Sequence, residues 1–229
     1  MINHLACIMD GNRRWAKKRN LMPWYGHKEG IEAVKKVIMF CRDNAIKYLS
    51  LYTFSIENLN RSNQEKEYLF GYIVNEIENM LPEILDSGIK VEFKGDRSLF
   101  PQAIINACNS IEQATQKCSN LYIQLMFCYG GQQEIVSGVK AVVEDVLKGI
   151  LDPATLTTKT FNKYLLAGAV PPPDLIIRTG GARRLSNFLL YHAAYSELYF
   201  LDCMWPELDK SHLQESLEYF YQCRRNFGT

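Results

Sequence analysis

An acid, a glycine and an asparagine at Asp10, Gly11 and Asn12 are followed within seven positions by five cations: Arg13, Arg14, Lys17, Lys18 and Arg19. The acid closes a short apolar run, Leu5 to Met9, bounded by turn residues, which is how a strand buried on both faces reads. A strand, a tight turn and a helix start leave free N–H groups at the strand's C-terminal end, where an anion is welcome. A carboxylate and a phosphate repel each other there unless a cation lies between them. A divalent metal bridging Asp10 and a bound phosphate would resolve the conflict. Asp-Gly is also an ordinary turn dipeptide, and a run of Arg and Lys is commonly a solvated face or a nucleic-acid patch, so this stretch does not decide alone.

A second constellation is "RTGGARRLSN", in which Arg178, Arg183, Arg184 and Ser186 surround the glycine turn Gly180-Gly181. Glycines let a backbone approach an oxyanion closely, and guanidinium forks match phosphate oxygens two at a time. Three arginines and a hydroxyl around one turn read as a second anion site. Two anion sites and one metal-ready acid suggest two phosphorylated substrates. There is no GxxxxGK[ST], HRD, DFG or GxSxG string, and His4, His27, His192 and His212 are scattered. His192 reads as a helix residue near the core, whereas His27 follows the basic helix and is harder to set aside.

These residues need elements to position them. "GIEAVKKVIMFCRDNAI" has helical spacing and "YLSLYTFS" reads as a buried strand. "EKEYLFGYIVNEIENMLPEILDSG" is a long amphipathic helix, followed by the strand "IKVEFKG". The helix "SLFPQAIINACNSIEQATQKC", the strand "LYIQLMFCYGG" and the helix "QEIVSGVKAVVEDVLKG" come next. After a short helix around Phe161 to Leu166 the chain offers the strand "DLIIRTGG", a short helix in "SNFLLYHAAY", the strand "SELYFLD" and a closing helix "LQESLEYFYQCRRNF". The alternation predicts the α/β class: a single domain over residues 1–229 with a mostly parallel six-stranded sheet flanked by helices on both faces. Ligands of such a sheet bind beyond the carboxyl ends of the strands. Those ends carry Asp10-Gly11-Asn12, "SIENLNR" and "RTGG".

With 229 residues the chain can bury one substantial core, and no stretch looks like a linker. Its 26 Lys and Arg nearly balance 25 Asp and Glu, so the basic cluster is local, and a general nucleic-acid binder would more often carry a basic excess. The seven cysteines form no CxxC pair and read as reduced, mostly buried side chains of a cytosolic protein. No apolar run reaches spanning length and no signal-peptide pattern is present, so the expectation is a soluble, cytoplasmic protein that can dock peripherally on a membrane.

The strings "HLACIMDGNRRWAKKR…GHKEG", "YTFSIENLNRS", "CYGGQQEI" and "IRTGGARRLSNFLLYHAAYSELYFLDCMWPEL" closely resemble the signature regions of the cis-prenyltransferases, in order from His4 to about Gly228. In length and pattern the chain is similar to bacterial undecaprenyl diphosphate synthases. The resemblance implies an Mg²⁺-dependent transferase that joins isopentenyl diphosphate to an allylic primer, farnesyl diphosphate in the usual case, giving a long-chain polyprenyl diphosphate of the kind that carries cell-wall glycans. Asp10 would be catalytic and hold Mg²⁺, with Glu197 assisting at the metal or across a homodimer. Gly11, Asn12 and Arg14 would line the allylic diphosphate site with His27 nearby, and Arg13, Trp15 and Arg19 would add to substrate binding. Ser55, Glu57, Arg61 and Glu65, with a catalytic Asn58, match the second motif, and Arg178, Arg184 and Ser186 would grip isopentenyl diphosphate. The proton acceptor is Asn58's neighbourhood or a diphosphate oxygen.

The growing hydrocarbon would need an apolar tunnel, for which "EAVKKVIMF" and "EYLFGYIVNEIENMLPEIL" have the length, although core packing uses the same side chains. The resemblance also implies a homodimer, transient membrane-surface contact for product release, and no nucleic acid. Arg13 stands where glycine is usual, Pro23 where an arginine often contacts the primer, with Arg19 as its possible replacement, and Leu59 where tryptophan is usual. Gln132 replaces an arginine, and Ala182 with Arg183 replaces a glutamate and its successor. A non-catalytic partner subunit of the same fold is the rival reading, and an RNA binder using "RRWAKKR" is the third.

Overall fold

The apolar runs pair into one sheet in the computed structural model, which describes residues 1–224. Its strands are β1 (His4–Ile8), β2 (Tyr48–Ser55), β3 (Ile89–Lys94), β4 (Leu121–Tyr129), β5 (Leu175–Arg178) and β6 (Glu197–Phe200), in the spatial order β3-β4-β2-β1-β5-β6. Every neighbouring pair is parallel, so the expected mostly parallel sheet is parallel throughout. Helices α1 (Asn12–Lys18), α2 (Pro23–Asp43), α3 (Asn63–Asp86), α4 (Gln102–Thr115), α5 (Gly131–Leu147), α6 (Thr158–Phe161) and α7 (Lys210–Gln222) make the crossovers and the close.

The period of two along β1 divides the core. Leu5 and Cys7 join a large cluster with Val37 and Phe40 of α2, Leu69 and Val74 of α3, Ile111 of α4 and Leu213 of α7. Ala6 and Ile8 face a smaller cluster containing Ala167, Ile176, Phe188 and Leu189. Because both faces are covered at the centre of the sheet, β1 and β5 are buried at every position, whereas the edge strand β3 alternates buried apolar with half-buried charged residues. One polar chain crosses this interior: the His4 ring bonds through Nδ1 to the Pro171 carbonyl oxygen at 2.6 Å and through Nε2 to Ser50 Oγ at 2.9 Å.

Several boundaries depart from the expected ones: the helix expected from Ser98 begins at Gln102 behind Pro101, and the short helix expected around Phe161 to Leu166 lies at Thr158–Phe161. The helix expected from Gly30 begins at Pro23, which occupies its first turn, where a missing N–H costs nothing. The expected helix in "SNFLLYHAAY" is a 3₁₀ turn at His192–Tyr195 alone, because Ser186, Asn187 and Leu189 take positive φ values of 50°, 66° and 46°. Asn187 is held in that shape by the N–H of Gly131, which donates to its carbonyl at 2.7 Å, and of Gln132, which donates to its side chain at 2.8 Å. The closing helix starts earlier than expected, at Lys210 behind the capping side chain of Asp209, and ends at Gln222. Its expected last residues, Arg225 to Phe227, and the end of the motif match at Gly228 lie outside the described residues.

Candidate active site

Because β1 lies between β2 and β5, the turn residues that follow these three strands stand side by side at the carboxyl edge. Asp10 Oδ2 accepts from Arg178 Nη2 at 2.9 Å and Oδ1 accepts from Arg14 Nη2 at 3.2 Å. Its backbone carbonyl takes Thr179 Oγ1 at 2.7 Å and the Trp205 N–H at 3.0 Å, which fixes the turn. Arg178 is only 4% exposed, and its other terminal nitrogen donates to Ser186 Oγ at 2.7 Å and to the Arg184 carbonyl, while Nε has no partner. Gly180 closes the arrangement at φ 82°: a Cβ there would meet Arg14 Nη2 at 2.5 Å and the Asp10 backbone at 3.1 Å.

The end of β2 contributes a second wall. Ser55 caps the following 3₁₀ turn, and the Asn58 side-chain oxygen accepts the Ser55 N–H at 3.3 Å, so this asparagine holds the turn's shape. Glu65 accepts from Arg61 at 3.1 Å and pairs with Arg13 at 3.7 Å, joining α3 to α1. His27 lies between them with a buried Nε2 that has no partner. Burial first, then the charges of Arg61 and Arg13, push its pKa down to about 4, so the ring is neutral at neutral pH. Burial also raises the Glu57 carboxyl, but bonds from its own backbone N–H, Asn187 and Ser55 outweigh it and hold the pKa below the usual value. The Asn187 amide bridges Glu57 at 2.8 Å and Gln133 at 3.0 Å, linking the ends of β2, β4 and β5.

Two cavities meet at Asp10. One, of about 680 Å³, has Asp10, Asn12, His27, Ser55, Asn58, Arg61, Arg178, Arg184 and Ser186 around its polar end. It then runs between Ile31, Val34 and Ile38 of α2 and Leu69, Ile73, Ile77 and Met80 of α3, with Ile84, Val91, Ile123 and Leu125 deeper in. The other, of about 630 Å³, is lined by Gly11, Arg13, Arg14, Lys17, Asn20 and Pro23, and shares Asp10, Asn12, His27 and Arg61 with the first. A cationic cradle thus opens directly onto an apolar tunnel. Several tunnel residues, Val34, Ile38, Ile73, Ile77 and Met80, also pack on the main core, so one set of side chains serves both uses.

Not every expected site residue joins this junction. Glu197 stands at the amino end of β6, paired with Leu175, whereas Arg178 is paired with Phe200 at the other end. Three strand residues, about 10 Å, therefore separate Glu197 from the Asp10 edge, and one chain does not bring these two carboxylates onto one metal. Arg19 is stacked over Trp15 at 4.2 Å and paired with Glu207 at 3.4 Å, and neither Arg19 nor Trp15 lines either of these two cavities. Arg19 therefore does not stand in for the cation absent at Pro23. Lys17 does line the cradle and escaped the reading, although its spacing of four from Arg13 places both on one helix face. Glu65 acts through Arg13 and Arg61. Leu59 packs on the core, and Gln132, Ala182 and Arg183 lie outside both walls. Tyr52, Thr53 and Asn187 line the large cavity without having been expected there.

Among the described residues no group of three or more His, Cys, Asp or Glu side chains could cage a metal. The donor set nevertheless suits Mg²⁺ carried on a substrate: one hard carboxylate, Asp10, at a junction lined by cations, with the remaining ligands left to diphosphate oxygens and water.

The family model described as "Putative undecaprenyl diphosphate synthase" matches residues 8–228. A tritrans,polycis-undecaprenyl-diphosphate synthase (geranylgeranyl-diphosphate specific) of Pyrococcus abyssi is 39% identical over 98% of this chain and 86% of its own length. A ditrans,polycis-undecaprenyl-diphosphate synthase ((2E,6E)-farnesyl-diphosphate specific) of Buchnera aphidicola is 37% identical over 99% of this chain and 91% of its own. The crystal structure of lavandulyl diphosphate synthase from Lavandula x intermedia, in complex with dimethylallyl diphosphate, superposes with a TM-score of 0.96 at 31% identity, covering 100% of this chain and 98% of that one.

Proposed function

The chain belongs to the undecaprenyl diphosphate synthase family of cis-prenyltransferases, and from that premise we infer that its two joined cavities divide the condensation of isopentenyl diphosphate with an allylic diphosphate. The observation that carries this reading is Asp10 between Arg14 and Arg178 at the point where the cationic cradle opens onto the apolar tunnel. Arg13, Arg14, Lys17 and Arg61 bind the allylic diphosphate, with Gly11, Asn12 and the neutral His27 beside it. Its hydrocarbon lies in the tunnel. Arg178, Arg184 and Ser186, with Ser55 opposite, bind isopentenyl diphosphate.

Breaking the allylic C–O bond leaves negative charge on the departing diphosphate, and fixed guanidinium donors stabilise that charge as it develops. When bound, Mg²⁺ held by Asp10 would supply Lewis-acid stabilisation of the same oxygens. Asn58 positions the β2 turn, since its side-chain oxygen is already used there, and the proton lost from the attacking unit is left to a diphosphate oxygen. The tunnel excludes water from the allylic cation.

The relatives do not share one primer, farnesyl in one and geranylgeranyl in another, so both tail lengths enter the test. Homodimer formation is supported by the outer face of α5, where Val136, Val139, Val143 and Leu147 are exposed, and by the edge strand β6. Among the described residues no helix is long and apolar enough to cross a membrane. Exposed Leu21, Met22 and Tyr25 after the Lys17-Lys18 pair support peripheral contact from the cytoplasm for product release.

The test is incorporation of labelled isopentenyl diphosphate by the purified chain with each primer, with and without Mg²⁺. Metal-dependent chain extension is expected, and no incorporation with either primer would overturn the reading in favour of the partner-subunit role.

A further inference from the structure

Asn187 follows Ser186, whose hydroxyl Arg178 holds at 2.7 Å, and its own side chain gathers two further segments. Its Oδ1 accepts the Gln132 N–H at 2.8 Å, and its Nδ2 donates to Glu57 Oε1 at 2.8 Å and to Gln133 Oε1 at 3.0 Å. Its backbone carbonyl takes the Gly131 N–H at 2.7 Å, and the preceding carbonyl, of Ser186, takes the Tyr52 hydroxyl at 3.4 Å. The turn so fixed has positive φ at Ser186 and Asn187, a conformation that asparagine visits and serine seldom does. A serine held there depends on its surroundings to keep it. Both amide hydrogens of Asn187 are already given to Glu57 and Gln133, so none is left for a phosphate oxygen, although the residue borders the large cavity. Glu57 stands in the turn after β2, between Ser55 and Asn58, and an ionised carboxylate there accepts and never donates. Only a donor at position 187 closes this link.

We propose that Asn187 is a positioning residue for isopentenyl diphosphate: by tying the turn that carries Arg184 and Ser186 to Glu57 and to the start of α5, it holds those two groups in place before the substrate arrives. This rests on the reading that Arg184 and Ser186 bind that substrate. Donors fixed in advance lose less freedom on binding than donors on a loose turn. Loosening the turn therefore weakens isopentenyl diphosphate far more than the primer, whose diphosphate is assigned to Arg13, Arg14, Lys17 and Arg61.

The test measures steady-state incorporation by the full chain, by Asn187→Ala, by Asn187→Asp and by the double variant Asn187→Asp with Glu57→Gln, with a melting curve for each. Asn187→Asp keeps an acceptor for the Gln132 N–H but sets a carboxylate against Glu57, and replacing Glu57 by glutamine returns a donor to the same link. Both single variants are expected to raise KM for isopentenyl diphosphate about tenfold, with KM for the farnesyl or geranylgeranyl primer within about twofold of the wild type. The double variant is expected to recover most of what Asn187→Asp loses. Equal losses for both substrates, or unchanged constants in a folded Asn187→Asp, overturn the proposal and leave the transferase reading standing. A double variant no better than Asn187→Asp, in folding or in KM, overturns it too, because the link to Glu57 would then carry nothing. No incorporation by the wild type with either primer would remove the isopentenyl diphosphate reading and this proposal with it.

Discussion

Asp10 and Arg178 come from segments 168 positions apart, yet each was legible from its own neighbours: a polar turn after an apolar run marks a strand end, and strand ends of a parallel sheet share one edge. Asn187 was not, because an asparagine inside an apolar run carries no mark of which way it faces, whereas the spacing of four between Arg13 and Lys17 was there to be used. Arg19 shows the converse, a cation of the right type turned onto Trp15 and Glu207. Two other single residues govern the response to acid. Burial lowers the pKa of His4 and of His27 to about 4 from an ordinary 6.5. Between those values the unfolded chain binds more protons than the folded one, so stability is fully present above about pH 6.5 and is lost as pH falls toward 4, by up to roughly 3 kcal/mol for each histidine. The lowered carboxylates Glu92 and Asp209, both held at about 2, lose their contributions only at lower pH. Urea unfolding at pH 7 and pH 4.5 should therefore give a clearly lower midpoint at the acid pH. Equal midpoints would mean that neither ring is buried neutral.

The elements most important to the site are α1 and α2, since the cradle is the angle between them. The end of α1 is legible in its residues but the start of α2 at Pro23 is not, because a proline after a basic helix signals a stop and a first-turn position equally well. The stretch after Gly181 is less legible still, since its apolar spacing suggests a helix while Ser186 and Asn187 are held at positive φ by bonds to β5 and α5 that local sequence does not contain. The α1–α2 contact depends on Gly26, where a Cβ would lie 2.0 Å from the Asn12 carbonyl oxygen. Gly26→Ala must push the helices apart, and overpacking of this kind costs about 1–3 kcal/mol. A melting temperature lower by several degrees, together with weaker binding of inorganic diphosphate, is the expected outcome. A melting curve that superposes on the wild type would show that the two helices are not in register as described.

Over the whole molecule, the class, the six strands and the parallel pairing followed from alternation alone, because a sheet buried on both faces imposes long apolar runs and crossovers impose helices between them. The tunnel did not, since lining a cavity and packing a core ask for the same side chains and only the gap between α2 and α3 separates them. Nor did the position of Glu197, whose distance from Asp10 depends on strand register. What unites the scales is one junction, where the carboxyl edge of the sheet delivers an acid and its arginines to the mouth of the tunnel. Asp10→Ala measures that junction most directly, by steady-state incorporation of isopentenyl diphosphate with Mg²⁺ alongside a melting curve. The expected result is turnover lower by about 100-fold or more with the fold retained. Wild-type turnover in the folded variant would contradict the placing of the reaction at Asp10.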